Sequence, residues 1–182
     1  MRSRATEPLV RCHVVLRGRE AHRLDMLRTS TEAASDSEIV RHALLYFEQL
    51  HDDFRAGRKL LIRSSNGKGD VEVAISATGF AEKADGPLVK RNLILHQRSA
   101  QRVEKLKQLM GITSTSELIR QALEVYEILV ENILAGKSFI VQDRAGKECQ
   151  YKIPISRERP APPPQFGFAA ALRGGIADAL KM

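Results

Sequence analysis

The chain has 182 residues, 43% of them hydrophobic and 28% charged, a balance typical of a globular protein with one or two domains. Its net charge of +7 favours a polyanionic partner, nucleic acid first and an anionic membrane surface second. No apolar run approaches the ~20 residues of a membrane span, and the start lacks the apolar stretch of a signal peptide. The two cysteines occupy non-equivalent positions, which argues against a disulfide framework. We therefore expect a cytoplasmic protein with no membrane partner.

An internal repeat dominates the sequence. Residues 8–68 align with residues 87–147 without a gap, at a constant offset of 79, and 20 of the 61 paired positions are identical. A repeat is best interpreted before any single element, because a missed repeat leads to the wrong fold. Two copies suggest one small unit present twice, so that a single chain performs the task of a homodimer.

In chain order, the first copy begins with a strand over residues 9–16 that alternates between two faces. A first helix is predicted over residues 20–29. The capping-box sequence Ser35-Asp-Ser-Glu38 then predicts a long helix, Asp36–Arg55, with Gly57 just beyond its end. A hairpin follows, with strands over 60–62 and 71–75 and a turn at 66–69.

The second copy repeats this order after a small-residue linker at 78–86. We predict a strand over 89–95, a helix over 99–110 that stops at Gly111, a long helix Thr115–Leu134 behind the box Ser114-Thr-Ser-Glu117, and a hairpin over 139–141 and 151–155 with Pro154 at its edge. Because Glu32 stands where the second copy has Gly111, the exit turns of the two first helices are expected to differ.

The element order and one local motif resemble a known family. The segments Ser37-Glu-Ile-Val-Arg-His-Ala-Leu44 and Ser116-Glu-Leu-Ile-Arg-Gln-Ala-Leu123, with the strand Lys90-Arg-Asn-Leu-Ile-Leu95, resemble the ribbon-helix-helix family of the Arc and MetJ repressors. The resemblance implies an α+β, mainly helical fold. Two ribbon-helix-helix units would form an intramolecular pseudo-dimer with a two-stranded antiparallel ribbon, each unit followed by a β-hairpin, and residues 9–16 would pair with 88–95.

This interpretation divides the chain into four parts. Residues 1–76 are the first ribbon-helix-helix repeat plus its hairpin, residues 77–86 are the linker, and residues 87–156 are the second repeat plus its hairpin. Residues 157–182 are a proline-rich break and a mobile tail, since Pro160, Pro162, Pro163 and Pro164 favour a stiff extended chain.

In the family the outer ribbon face reads bases in the major groove, and a two-stranded ribbon fits that groove. The residues at these positions are Arg11, His13, Val15, Lys90, Asn92 and Ile94. Arginine and lysine can donate to guanine O6 and N7, and asparagine can pair with adenine. Val15 and Ile94 depart from the usual polar residue; they either touch thymine methyls or do not read bases. The alternative for the whole face is a solvated sheet surface.

Phosphate contacts are predicted just past the strands and at the long helices' N-termini, where free amides attract anions. The candidates are Arg17, Arg19, Ser37, Arg98, Thr115 and Ser116. Asp36 opposes phosphate binding on the first-copy side. The motif arginines Arg41 and Arg120 are interpreted as helix-surface partners of Glu38 and Glu117.

The leading functional prediction is sequence-specific binding of double-stranded DNA by a nucleoid-associated transcriptional repressor. The alternatives are a plasmid transfer or partition accessory protein, similar in architecture to TraY-type proteins, and an antitoxin-like autorepressor. An interaction scaffold that has lost DNA binding is the candidate from another class. No catalytic constellation, metal-ligand spacing or cofactor motif is visible, so neither an enzyme nor a cofactor is expected. The sequence leaves open whether two chains associate on DNA and whether the tail, residues 165–182, binds a protein partner.

Overall fold

The computed structural model describes residues 8–64, 69–73 and 87–151. Within them the chain forms six strands and four helices, in the order β1 (Leu9–Arg17), α1 (Gly18–Thr31), α2 (Asp36–Arg55), β2 (Lys59–Arg63), β3 (Asp70–Val73), β4 (Leu88–His96), α3 (Gln97–Met110), α4 (Thr115–Leu134), β5 (Ser138–Gln142) and β6 (Glu148–Tyr151). The predicted linker, proline-rich break and tail, with Pro154, lie outside the described residues.

The predicted fold class is wrong as an architecture. The predicted architecture was two ribbon-helix-helix units that share one two-stranded ribbon and are each followed by a separate hairpin. The chain is instead an α+β protein whose described residues form four helices and two separate antiparallel sheets, of two and four strands. The two hairpins merge because β2 pairs with β5, which gives one sheet of order β3-β2-β5-β6. A lone hairpin is only marginally stable in water, and the pairing of β2 with β5 covers one edge of each hairpin.

The smaller sheet is the ribbon of β1 and β4, and this predicted strand pairing is confirmed. The strands run antiparallel over their whole length, with Leu9 opposite His96 and Arg17 opposite Leu88. Alternate residues face the helices, and Val14, Leu16, Leu93 and Leu95 are buried there. The ribbon therefore forms a lid over the helical core, with its other face in solvent.

Serine caps start both long helices, as predicted. The Ser35 Oγ accepts a hydrogen bond from the Glu38 amide at 3.3 Å, and the Ser114 Oγ accepts from the Glu117 amide at 3.4 Å. Each contact satisfies one of the amides that a helix start leaves without an intrahelical partner. These caps fix where α2 and α4 begin, directly beside the ribbon.

The exit turns of α1 and α3 are alike, so the predicted difference between them is wrong. Glu32 adopts a left-handed conformation at φ 52°, close to the φ of 67° at Gly111. In both turns the residue's amide donates to the carbonyl four positions back, at Arg28 or Lys107. A side chain in this conformation costs roughly 1–2 kcal/mol, which the packing of α1 and α2 on either side must offset.

One continuous core takes side chains from both repeats. The helices α2 and α4 lie at its centre, and the stacked rings of Tyr46 and Tyr126, 5.8 Å apart, join them. The buried residues of the helices include Leu24, Leu27, Ile39, Val40, Leu44, Leu50, Val103, Leu106, Leu118, Ile119, Leu123 and Leu129. Full burial of each such side chain contributes roughly 1.5–3 kcal/mol, so the repeats stabilise one another.

Equivalent ion pairs also tie each repeat to the other. The Arg23 Nε donates to Glu127 at 2.5 Å, and its counterpart Arg102 donates to Glu48, also at 2.5 Å. All four residues are among the positions that are identical between the copies. Arg120 lies 3.7 Å from Glu20, a contact between repeats that helical spacing does not predict.

The four-stranded sheet packs its inner row against the helices, with Leu60, Phe139 and Val141 buried. On the outer face, Arg63 joins carboxylates from both edge strands, Asp70 at 2.6 Å and Glu148 at 2.9 Å. The hydrogen bonds that Arg63 donates to Asp70 hold the pKa of the Asp70 carboxyl below its usual value. The single guanidinium thus connects the two hairpins.

Among the described residues, no helix has the length and apolar character needed to cross a membrane.

Candidate nucleic-acid interface

The solvent face of the ribbon carries the six residues that we predicted to read bases. All six are exposed: Arg11, His13, Val15, Lys90, Asn92 and Ile94. Their positions follow from the two-residue period of a strand, since the residues between them point into the core. The structure therefore brings the predicted set together on one face, and contact with bases stays a prediction.

The register gives this face an approximate twofold symmetry. His13 lies opposite Asn92, its own counterpart in the other repeat. On one side of this central pair Arg11 lies opposite Ile94, and on the other side Val15 lies opposite Lys90. Each half of the face therefore combines one long cationic side chain with one branched apolar side chain.

The central pair is joined by a hydrogen bond. The Nδ1 of His13 lies 2.7 Å from the Oδ1 of Asn92, so the ring nitrogen donates and the amide oxygen accepts. The amide nitrogen of Asn92 keeps both of its hydrogens for another acceptor, and the oxygen has a second lone pair. The contact holds the asparagine in one orientation at the middle of the face.

The long helices are attached to the ribbon through two serines. The Val15 amide donates to the Ser116 Oγ at 3.1 Å, and the Ile94 amide donates to the Ser37 Oγ at 2.9 Å. Sequence reasoning assigned both serines to phosphate contact and missed this positioning role. A hydroxyl that accepts in this way still has its own hydrogen to donate, so the phosphate contact of both residues stays a prediction.

The two ends of the ribbon differ in charge. At the first-copy end, Asp36 lies 3.5 Å from Arg28 and 3.8 Å from Arg91, so two guanidiniums offset the carboxylate that we expected to repel phosphate. Arg91 also approaches Asp25 at 3.4 Å. At the other end Thr115, which is half-buried, begins α4 in the position of Asp36. The α4 end therefore lacks the acidic side chain.

The remaining predicted phosphate contacts lie where the strands pass into helices. Arg17 is half-buried at the end of β1 and precedes α1, and its amide donates to the Glu20 carboxylate at 2.6 Å. Arg19 and Arg98 are exposed in the first turns of α1 and α3. These positions flank the ribbon at both ends, and their phosphate contacts stay predictions.

The sequence prediction missed two further exposed residues of the outer ribbon face. Leu9 and Leu88 lie on the same face at opposite ends of the ribbon, with 60% and 70% of their surface exposed. Both are identical between the copies, which is the signal that could have identified them. The outer face is therefore partly apolar as well as basic.

Cys12 and Arg91 are counterparts on the inner face but differ in chemistry. Burial raises the pKa of the Cys12 thiol, and the nearby Lys107 only partly opposes that effect. The group is therefore a neutral thiol at neutral pH rather than a reactive thiolate. The position of Arg91 within a row of inward-facing apolar residues was the available sign of its acidic partners, Asp25 and Asp36.

Within residues 8–64, 69–73 and 87–151, no three histidine, cysteine, aspartate or glutamate side chains come together as a metal site. Comparisons of the chain with protein-family models, curated proteins and solved structures give no match.

Proposed function

We propose that this protein binds double-stranded DNA sequence-specifically, with the ribbon of β1 and β4 in the major groove, and acts as a transcriptional repressor. The observation that carries the proposal is the exposed ribbon face, on which Arg11 and Lys90 flank the His13–Asn92 pair symmetrically. Kinship with ribbon-helix-helix proteins is part of the same proposal and rests on the helix motif and this strand pairing.

The geometry of the ribbon suits the groove. A two-stranded ribbon fits a major groove about 12 Å wide, where each base pair presents a distinct pattern of donors and acceptors. Side chains on the face can reach base edges because the strands cross above the helices with no described element in front of them. Occupation of the groove would exclude other proteins from that site, which is the simplest route to repression.

The helices would fix the position of the ribbon on the duplex. Ser37 and Ser116 hold the N-termini of α2 and α4 against the ribbon strands, so their amides would face the phosphates on either side of the groove. A net charge of +7 supports attraction to the duplex. With about six phosphates neutralised, log K is expected to fall with log salt at a slope near −5.

The test is selection from random-sequence DNA at two salt concentrations. The variant Arg11→Ala/Lys90→Ala/Asn92→Ala should lose the selected motif. Its matched control, Arg144→Ala/Lys147→Ala/Gln150→Ala, removes the same charge from exposed positions on the hairpin of β5 and β6 and should retain the motif. If the wild type selects no motif and the ribbon variant binds as well as the control, the proposal is wrong.

A second candidate is a protein-binding surface on the same face. Exposed apolar side chains favour it, with Leu9 near Ile94 at one end of the ribbon and Leu88 near Val15 at the other, because exposed apolar patches mark protein contacts. In that case Leu9→Ser/Leu88→Ser would abolish binding of a protein partner. Neither the wild type nor any variant would select a DNA motif.

A further inference from the structure

We infer that each half of the DNA site contains a guanine and a thymine on the same or neighbouring base pairs, and that the half read by Arg11 and Ile94 is the more discriminating. This inference rests on the proposed DNA binding and adds to it the chemistry of the target. It comes from the strand register, which joins a cationic and an apolar side chain in each half of the face.

The two side chains of each half belong to residues that lie directly opposite each other on the two strands. The Val15 and Ile94 amides donate to serines of α4 and α2, so they point away from the partner strand. Val15 and Ile94 therefore belong to pairs that lack hydrogen bonds between the strands, in which opposing Cα atoms are about 4.5 Å apart. The side chains of Arg11 and Ile94 therefore start from adjacent positions on the face, and so do those of Lys90 and Val15.

That spacing matches DNA. Successive bases rise about 3.4 Å, so two side chains about 4.5–5.5 Å apart address one base pair or two neighbouring ones. Arginine and lysine donate to guanine O6 and N7, and branched apolar groups contact the thymine C5-methyl. Ile94 is 50% exposed and Val15 is 37% exposed, which leaves both side chains accessible to such a methyl group.

The halves differ in strength because their residues differ. The Arg11 guanidinium can bind guanine through two parallel hydrogen bonds, whereas the Lys90 ammonium is a point charge. Ile94 is one methylene longer than Val15 and more exposed, so it can cover more of a methyl group. Asp36 lies at the Ile94 end and would oppose this difference, but Arg28 and Arg91 offset its charge.

The experiment replaces each thymine of the selected site, one at a time, by deoxyuridine, which lacks only the methyl group. For the wild type, one replacement in each half should weaken binding, by about fourfold per methyl group at the Ile94 half and by less at the Val15 half. Ile94→Ala should bind the thymine and deoxyuridine versions of its half equally. Val71→Ala, which truncates an exposed valine on β3, should behave as the wild type.

The outcomes separate this inference from the function on which it rests. If the wild type selects a motif that Arg11→Ala/Lys90→Ala/Asn92→Ala loses, but no deoxyuridine replacement weakens binding, the methyl contact is wrong and DNA binding stands. A weaker effect at the Ile94 half than at the Val15 half overturns the predicted order of the halves. If no motif is selected, the proposed function fails, and this inference fails with it.

Discussion

Replacement of Glu48 by glutamine tests how strongly the ion pairs between the repeats stabilise the fold. The Glu48 carboxylate accepts from Arg102 at 2.5 Å and from Lys105 at 2.7 Å, and only 16% of its side chain is exposed. Hydrogen bonds to charged groups contribute about 1.5–3 kcal/mol, whereas an exposed ion pair such as that of Lys105 contributes about 0–1 kcal/mol. Glutamine keeps the shape and one acceptor, so we expect a loss of about 2 kcal/mol.

The loss should depend on pH in a defined direction. Burial acts to raise the pKa of the Glu48 carboxyl, but the hydrogen bonds and charges of Lys105 and Arg102 outweigh it, so the pKa is lowered. A group whose pKa is lower in the folded state stabilises the fold above its unfolded pKa, and that contribution disappears as the pH falls through the folded pKa. The difference between wild type and Glu48→Gln should therefore be constant near neutral pH and shrink below about pH 4.

Urea denaturation followed by circular dichroism, from pH 7 downward, measures both effects. The matched control is Glu127→Gln, the equivalent position, which receives a 2.5 Å hydrogen bond from Arg23 without a second lysine bond like that of Lys105. It should lose about 1.5 kcal/mol, the lower end for one charge-assisted hydrogen bond. An equal loss in both variants, or a Glu48→Gln difference that persists unchanged in acid, would refute the reasoning.

Three further changes should alter the free energy of unfolding, measured by the same denaturation. Tyr126→Phe should raise the free energy of unfolding by about 1 kcal/mol, because the Tyr126 hydroxyl is buried without a hydrogen-bond partner in the described part of the chain. The equivalent position in the first repeat already holds a phenylalanine, Phe47. A loss of stability would point to a water molecule bound to the hydroxyl. Glu32→Gly should raise the free energy of unfolding by about 0.5–1 kcal/mol by removing the left-handed strain, and a decrease would mean that the Glu32 side chain itself stabilises the turn. Ser114→Ala should lower it by about 1 kcal/mol through loss of the helix cap, and no change would show that water replaces the serine.

The local elements could be predicted because their signals lie within a few residues of one another. The alternation of β1 and β4, the serine caps of α2 and α4 and the glycine after α3 all depend on neighbours along the chain. The resemblance to ribbon-helix-helix proteins then gave the strand pairing, which the register confirms. The predicted architecture was wrong because the strand and turn pattern gave each repeat a hairpin of its own, whereas β2 and β5 pair with each other.

Sequence spacing also failed where a local preference was overruled. Glu32 is a poor residue for a left-handed turn, yet it adopts the conformation of Gly111 because the turn from α1 to α2 and the turn from α3 to α4 connect equivalent pairs of helices. Arg91 lies in a row of inward-facing residues, yet it is accommodated because Asp25 and Asp36 approach from α1 and α2. In both cases the deciding contacts come from other elements.

The sequence by itself determined the repeat, the alternating ribbon strands, the capped long helices and the set of residues on the outer ribbon face, since each follows from periodicity or residue chemistry over short spans. Only the tertiary structure decided that β2 and β5 join the hairpins into one sheet, that Ser37 and Ser116 anchor the helices to the ribbon, and that Arg11 meets Ile94. These contacts join residues that are far apart in the sequence. Ser37 and Ile94 are 57 positions apart, and Val15 and Ser116 are 101 positions apart. Their formation depends on which surfaces the core brings together, and that information is absent from any local pattern.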